Sequence, residues 1–478
     1  MNENRVPKAS PEPLPELARF LEPFAPLFRR KTSRASMERY VTGLLSNLPH
    51  KTCETIAEAI AGTSLERLQH LLTDAAWDPL ALDEMRVKRL LELHPVDTGV
   101  LICDESGLPK KGTASVGVAA QSSRTRGKVG SGQVVVSAEY LADDPTSRTP
   151  FHFPLTSRLY LPESWVQDPE RRAQVPDGLG HHTKAEIALE LLDHARCWGV
   201  PCRAVVVDAG YGGNPGFLRG LDARRVPYVC AVESTFGCRR PDEVQAAAAQ
   251  IPLSSGGRGQ PRKPRPAPLS TVAHLVEALP SSSWRTLSWR KGTTGPMRVQ
   301  VVAMRAHWAT GSDQHSTSDR RVQTGPEGWV LAERSLYEPE KTRYWFSTLP
   351  PTASLEQLVT LAHARWVIEQ FYEDARQECG FDQYQGRSWT GLHRHLALVM
   401  LAYSFLMLQQ FLLLLLSDEV VPPSVMRRAL PGAHRQALLW LFQDLTRSGN
   451  AARSSWQCTI AHTGPRTCVQ RTSGIARE

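Results

Sequence analysis

The sequence predicts an α/β fold: a core of buried strands covered by helices, preceded by a helical region and interrupted by a β-rich insertion. Three observations predict it. Gly99-Val-Leu-Ile-Cys103 and Ala204-Val-Val-Val207 are short, continuous apolar runs, the pattern of strands buried on both faces. Helical periodicity alternates with further strand patterns around them, as in a sheet layered with helices. From residue 17 to about 93 the apolar residues recur at three- and four-residue spacing.

The elements follow in chain order. Residues 1–16 are polar and proline-rich and read as a disordered or extended lead, without the apolar run of a secretory signal. Residues 17–95 read as a helical domain. Tyr40, Leu44, Leu45 and Leu48 form one stripe, and Ile56, Ile60, Leu65, Leu68, Leu71 and Leu72 another, with short breaks at Leu48-Pro49, Gly62-Thr63 and Asp78-Pro79 punctuating the helices. Arg29, Arg30, Lys31, Arg34 and Arg39 give it a basic face, which suits a solvated surface and DNA contact equally. Residues 96–234 carry the first part of the core: strands at 99–103, 133–141, 204–207 and 228–232, and helices at 184–198 and 214–224. Residues 235–348 are the β-rich insertion, with a Gly-, Pro- and Arg-rich flexible loop at 254–268 and strands at 286–290, 298–304, 329–333 and 342–348.

The core resumes over 349–416. One long helix is expected between the capping box Ser354/Gln357 and a stop at Gly380. Leu396 to Leu416 carries no charge and is long enough to span a bilayer, but Ser404, Gln409 and Gln410 interrupt it, and a buried core helix is the reading adopted. Residues 417–478 are a polar tail, partly disordered, with an amphipathic helix near 432–446.

Composition sets the outer bounds. The 478 residues are 41% hydrophobic and 22% charged, a globular balance with no membrane partner implied. The net charge of +8 favours polyanionic partners without identifying one. Nine cysteines form no CxxC pair, which points to a reducing cytosol and away from a disulfide framework or zinc knuckle.

Three acids carry the chemistry. Asp104 and Asp208 each end an apolar run and precede a glycine-bearing turn, the place beyond strand ends where open α/β sheets bind ligands. Either aspartate, taken singly, also reads as a turn cap. On the long helix, Ala362, Arg365, Glu369, Tyr372 and Arg376 share a face; a Glu between two Arg is equally a surface ion-pair ladder, and Glu373 lies one turn on. Three hard oxygen ligands suit magnesium or manganese, and two such ions would clamp the attacking and leaving oxygens of a phosphodiester. Arg365 and Arg376 would neutralise phosphate charge. A paired-acid glycosidase is a rival that predicts no salt-sensitive DNA binding.

The run Arg365-Trp-Val-Ile-Glu369-Gln-Phe-Tyr-Glu-Asp-Ala-Arg376 resembles the R-x3-E-x6-K/R signature of bacterial insertion-sequence DDE transposases. Residues 104–112 (DESGLPKKG), 159–165 (LYLPESW), 289–292 (WRKG), 380–389 (GFDQYQGRSW) and 393–395 (HRH) resemble one group of them, insertion-sequence group 701. The resemblance implies an RNase H-like catalytic core with the triad Asp104, Asp208 and Glu369, holding two Mg2+ or Mn2+ ions. It implies nicking of transposon ends followed by 3′-hydroxyl joining to target DNA. It also implies phosphate contacts by Arg365, Arg376, Lys110, Lys111, Arg290, Lys291 and Arg34, and base stacking by Trp284 or Trp289, for each of which a core role is the alternative. Terminal inverted repeats and target duplex are the implied partners, in a homodimer or larger synaptic complex working at the bacterial nucleoid in the cytoplasm. Two departures stand out: Ala362 where the signature has Tyr, and Ala209 where relatives often carry an acid. The alternative is a catalytically idle, domesticated transposase kept as a DNA-binding protein.

Overall fold

A computed structural model describes residues 13–123, 128–143, 150–249, 267–292, 295–310, 323–336 and 341–416. The stripes before residue 95 become α1 (Pro15–Leu21), a 3-10 turn (Glu22–Leu27), α2 (Lys31–Leu45), α3 (Cys53–Ala59), α4 (Leu65–Thr73) and α5 (Pro79–Leu93). Thr52, Ser64 and Asp78 cap α3, α4 and α5 through their side-chain oxygens. The first helix begins at Pro15, inside the stretch expected to be an unstructured lead.

The core follows as β1 (Gly99–Pro109), β2 (Ala119–Ser123), β3 (Lys128–Leu141), β4 (His152–Tyr160), α6 (Glu163–Gln167), α7 (Pro169–Arg172), α8 (Lys184–Cys197), β5 (Cys202–Val207), α9 (Ala209–Gly212), α10 (Pro215–Ala223) and β6 (Tyr228–Val232). β3 runs antiparallel between β1 and β4, β5 pairs parallel with β1, and β6 parallel with β5. The order is therefore β4-β3-β1-β5-β6. β4 was not expected from the sequence. Pro154 lies inside it and breaks the alternation; the strand accommodates the proline at a register shift opposite Ala138 and Glu139.

Residues 235–348 comprise β7 (Gly237–Arg239), α11 (Pro241–Ala248), β8 (Ser270–Thr271), α12 (Val272–Glu277), β9 (Arg285–Gly292), β10 (Gly295–Thr310), β11 (Gln323–Ser335) and β12 (Thr342–Ser347) among the described residues. These strands continue the same sheet: β12 pairs antiparallel with β6, Phe346 opposite Cys230, giving one mixed sheet of 12 strands among the described residues. Loop residues 254–266 and the tail at 417–478, with its expected helix, lie outside the described residues.

The chain closes with α13 (Leu355–His363), α14 (Trp366–Cys379) and α15 (Trp389–Leu416). The single helix expected from Ser354 to Gly380 is thus two. Between them the amides of Val367 and Ile368 bond the carbonyls of Ala364 and Arg365, three residues back, which tightens the turn and redirects the axis. Both ends are as expected: Ser354 and Gln357 form the capping box, and Gly380 ends α14 at φ 68°.

α15 is an interior helix. Leu396 to Ala402 are at most 2% exposed, enclosed by α2, α4, α5, α14 and β4. Its polar residues tie the N-terminal helices down. Arg394 donates to the carbonyls of Leu72, Thr73, Ala75 and Trp77 at the end of α4, and His395 bridges Tyr40 and the Gly380 carbonyl. Lys51, 2% exposed, similarly donates to the carbonyls of Leu44, Ser46 and Glu378.

Candidate active site

The pairing of β1 with β5 ends at Cys103 opposite Val207. Asp104 and Asp208 are the next residues on those two strands, so they leave adjacent strands, roughly 4.8 Å apart, at one level. Only Asp208 ends its strand. β1 continues to Pro109 along β3, with Asp104 opposite Ser137, so the expected glycine turn at 104–107 is strand instead. The cause is the long antiparallel partner, which the short apolar run did not reveal.

The two aspartates consequently differ. Asp208 is partly exposed and caps α9, accepting from the Gly210 amide at 2.9 Å and the Tyr211 amide at 3.3 Å. Gly212 lets that turn lie against β6: a Cβ there would stand 2.1 Å from the Ala231 carbonyl oxygen. Asp104 has a side chain only 10% exposed. Burial pushes its carboxyl up to about 6; the Arg365 guanidinium and the Glu105 amide oppose this, while the charges of Asp208 and Glu105 add to it. Glu105 is exposed and bonds Lys184 of α8 at 2.7 Å.

α14 lays its Arg365–Arg376 face on β1. Tyr372 donates its hydroxyl to the Asp104 carbonyl at 2.9 Å, and Arg376 donates to the Ser106 hydroxyl. Arg365 stands in the tightened turn before the helix (φ −58°, ψ −23°). Its Nη1 donates to Asp104 Oδ2 and its Nη2 to Glu369 Oε1. Glu369 is 55% exposed along its side chain and faces outward beside the buried Asp104. Glu373 instead accepts from Gln377 within the same helix.

The remaining candidates divide into two groups. Trp289 and Arg290 of β9 reach the turn that carries Arg365. Trp289 stacks on His363 with ring centroids 3.9 Å apart and 5° between planes, and the Arg290 guanidinium lies 4.0 Å from the Trp366 ring centroid. His363 in turn bonds the buried Glu333 at 2.6 Å. The others stand apart. Lys110 donates to the Tyr384 carbonyl, and Lys111 is exposed beyond β1. Trp284 lies under Arg334, 4.1 Å from its guanidinium, and Arg34 on α2 bonds the Ala25 carbonyl. Lys291 is on β9, with its side chain outside the described residues.

Sequence reading did not single out Tyr372, His363 and Glu333 as members of this constellation. Tyr372 lay on the named helical face, which was the available signal; His363 and Glu333 are 30 residues apart and meet only through tertiary packing, which no local pattern reveals.

By donor chemistry alone the three acids suit a divalent cation. Asp104, Asp208 and Glu369 offer hard oxygens from three elements, and a guanidinium already lies between two of them, so the position accepts positive charge. Among the described residues no three acidic, His or Cys side chains converge in ligand geometry; the Arg365 fork stands between Asp104 and Glu369. A groove of about 320 Å³ is lined by Ala209, the residue after Asp208, together with Ser234, Trp345 and others, and none of the three acids lines it. A larger cavity of about 630 Å³ lies against α3, α4 and residues 383–388, and none of the three acids lines it.

The family profile described as DDE superfamily endonuclease matches residues 23–296, more than half of the chain. That span contains Asp104 and Asp208 and stops before Glu369. The probable transposase for insertion sequence element IS701 from Microchaete diplosiphon is 28% identical over 193 residues, 40% of this chain and 47% of that protein. The chain therefore covers less than half of that relative's length. Among solved structures, a piggyBac transposase synaptic complex with hairpin DNA aligns over 96% of this chain and 84% of its own, with a TM-score of 0.37 and 10% identity.

Proposed function

The chain belongs to the DDE superfamily of endonucleases, and from that premise we propose that it is a DNA transposase with Asp104, Asp208 and Glu369 as its metal-binding triad. The observation that carries this reading is the β1–β5 register, which brings Asp104 and Asp208 level with each other beneath a helix bearing Glu369. The core is RNase H-like on this reading, supported by the order β4-β3-β1-β5-β6 with only β3 reversed among β3, β1, β5 and β6. The insertion at 235–348 enters after β6, and the helices at 17–95 present a basic face to duplex DNA.

Two Mg2+ or Mn2+ ions, when bound, would supply an activated oxygen nucleophile and stabilise the departing 3′-oxygen. The chain's own residues do the positioning. Asp208 is oriented by the amides of Gly210 and Tyr211, Asp104 by the backbone bond from Tyr372, and Glu369, before metal is bound, by its contact with Arg365. Arg376, Lys111, Arg290, Lys291 and Arg34 are the proposed phosphate contacts. Lys110 is proposed with them, though its ammonium is held by the Tyr384 carbonyl. The proposed partners are paired transposon ends and target DNA, bound by a homodimer or larger assembly in the bacterial cytoplasm. Trp284 and Trp289 are the proposed base-stacking residues; Trp289 must leave His363 to serve.

The test is cleavage of cognate end DNA with Mg2+. Asp104→Asn, Asp208→Asn and Glu369→Gln are each expected to slow cleavage by about three orders of magnitude, the scale of losing several kcal/mol of charge stabilisation. Glu373→Gln is expected to cleave normally. Wild-type rates in the first three variants sink the assignment.

A further inference from the structure

Arg365 occupies a position with two claims on it. One guanidinium spans two of the three candidate ligands, with one terminal nitrogen on Asp104 Oδ2 and the other on Glu369 Oε1. The two oxygens belong to different elements, β1 and α14, so this contact draws the helix-borne acid towards the strand-borne one. Arg365 is not held as a regular helical residue: it sits in the tightened turn between α13 and α14, where its backbone is set by three-residue bonds. A third of its side chain is exposed, so its head lies at the mouth of the site. A guanidinium has five donors and no neutral form near physiological pH, so it cannot leave an acid by losing its proton; it can only move.

We propose that Arg365 is a positioning residue that acts as an internal counter-cation. It holds Asp104 and Glu369 together before metal is bound, and it must swing away from those oxygens for either to ligate an ion. The proposal rests on the reading of Asp104, Asp208 and Glu369 as the metal ligands, and it adds an order of events. Guanidinium and divalent cation claim the same oxygens and repel each other, so release of the fork accompanies metal loading. Once released, the fork presents paired donors at the mouth of the site, in the geometry that grips a phosphate. Metal binding and phosphate binding should then favour each other, each raising the affinity for the other by the same factor.

The experiment is Mn2+ titration of the full chain by calorimetry, without DNA, on wild type, Arg365→Gln and Arg365→Lys. If Arg365 competes with the ion, Arg365→Gln binds Mn2+ about tenfold tighter, the scale set by removing one unit charge a few Å from the ion in a partly screened site. Arg365→Lys, which keeps the charge and loses the fork, binds more tightly than wild type by a smaller factor. Unchanged or weaker Mn2+ affinity in Arg365→Gln overturns the proposal; should that variant fail to fold, the same criterion applies to Arg365→Lys. A second measurement adds a short duplex to wild type and Arg365→Gln. The duplex is expected to tighten Mn2+ binding in wild type and to do so less in the variant, and an equal effect in both also overturns the proposal. Asp208→Asn separates the two levels: if it binds Mn2+ as wild type does, the triad reading fails, whatever Arg365 does.

Discussion

At the scale of single residues, the two aspartates of the site face opposite constraints. Asp104 is buried and its carboxyl lies near 6, while Asp208 is solvated and braced by amides. A metal ion takes the carboxylate form, so Mn2+ affinity at this site is expected to fall about tenfold for each pH unit below 6. Titrations at pH 5, 6 and 7 measure this, and a flat profile counts against it. The metal-free protein should show the opposite trend. A carboxyl whose folded value is raised binds its proton more tightly when folded, so its contribution to stability improves as pH falls from about 6 towards 4. Comparing thermal melts of wild type and Asp104→Asn across that window isolates this contribution. Both aspartates were legible because a charge directly after an apolar run is conspicuous. Glu369 was not separable from Glu373 by helical period alone. In the fold Glu369 meets Arg365, which also reaches Asp104 on β1, while Glu373 bonds Gln377, and a contact between distant segments leaves no local trace in a sequence.

At the scale of elements, packing decided what local pattern did not. β4 was hidden because Pro154 breaks its alternation. The same segment supplies the carbonyls of Pro154 and Leu155 to Arg86, which is 0% exposed and also pairs with Asp83 and Ser404. Burial raises the Asp83 carboxyl despite this partner. Arg86→Ala would leave the buried Asp83 with only the Thr156 hydroxyl and take a donor from two carbonyls, and is expected to cost about 3–5 kcal/mol in urea unfolding. A loss below about 1 kcal/mol would show that water enters to replace it. The α13–α14 break was equally illegible, because Ala364 and Arg365 carry no helix-stopping signal and the turn is tightened only by its surroundings. Helix ends with their own chemistry, at Ser354 and Gly380, were legible for the converse reason.

At the scale of the whole molecule, the N-terminal helices and the sheet share one interior. Lys51 to Glu378, Arg394 to Leu72 and His395 to Tyr40 bind across the boundary near residue 95, so an isolated fragment of residues 13–95 is expected to lack a cooperative melt, measured by circular dichroism. The net charge of +8 and the exposed Arg29, Arg30 and Lys31 make a second prediction. Duplex affinity should fall steeply with salt, and neutralising these three should flatten the logarithmic slope by about 0.9 for each phosphate they no longer screen. An unchanged slope would place the DNA on another face. Composition made the charge legible but left its location open, since a basic run reads alike on a binding face and on a merely wet one.

The seam between β6 and β12 has a practical consequence for anyone wishing to miniaturise this protein. Removing residues 235–348 to isolate the strands that carry Asp104 and Asp208 would strip Tyr228–Val232 of its outer neighbour, leaving an apolar strand with open amides and carbonyls. Such a strand recruits the same strand from another chain, so the trimmed protein is expected to clump before its chemistry can be tried. A shortened version should keep β11 and β12 as a selvedge and trim beyond them. Solubility, rather than the acids, would then set how small the protein can be made.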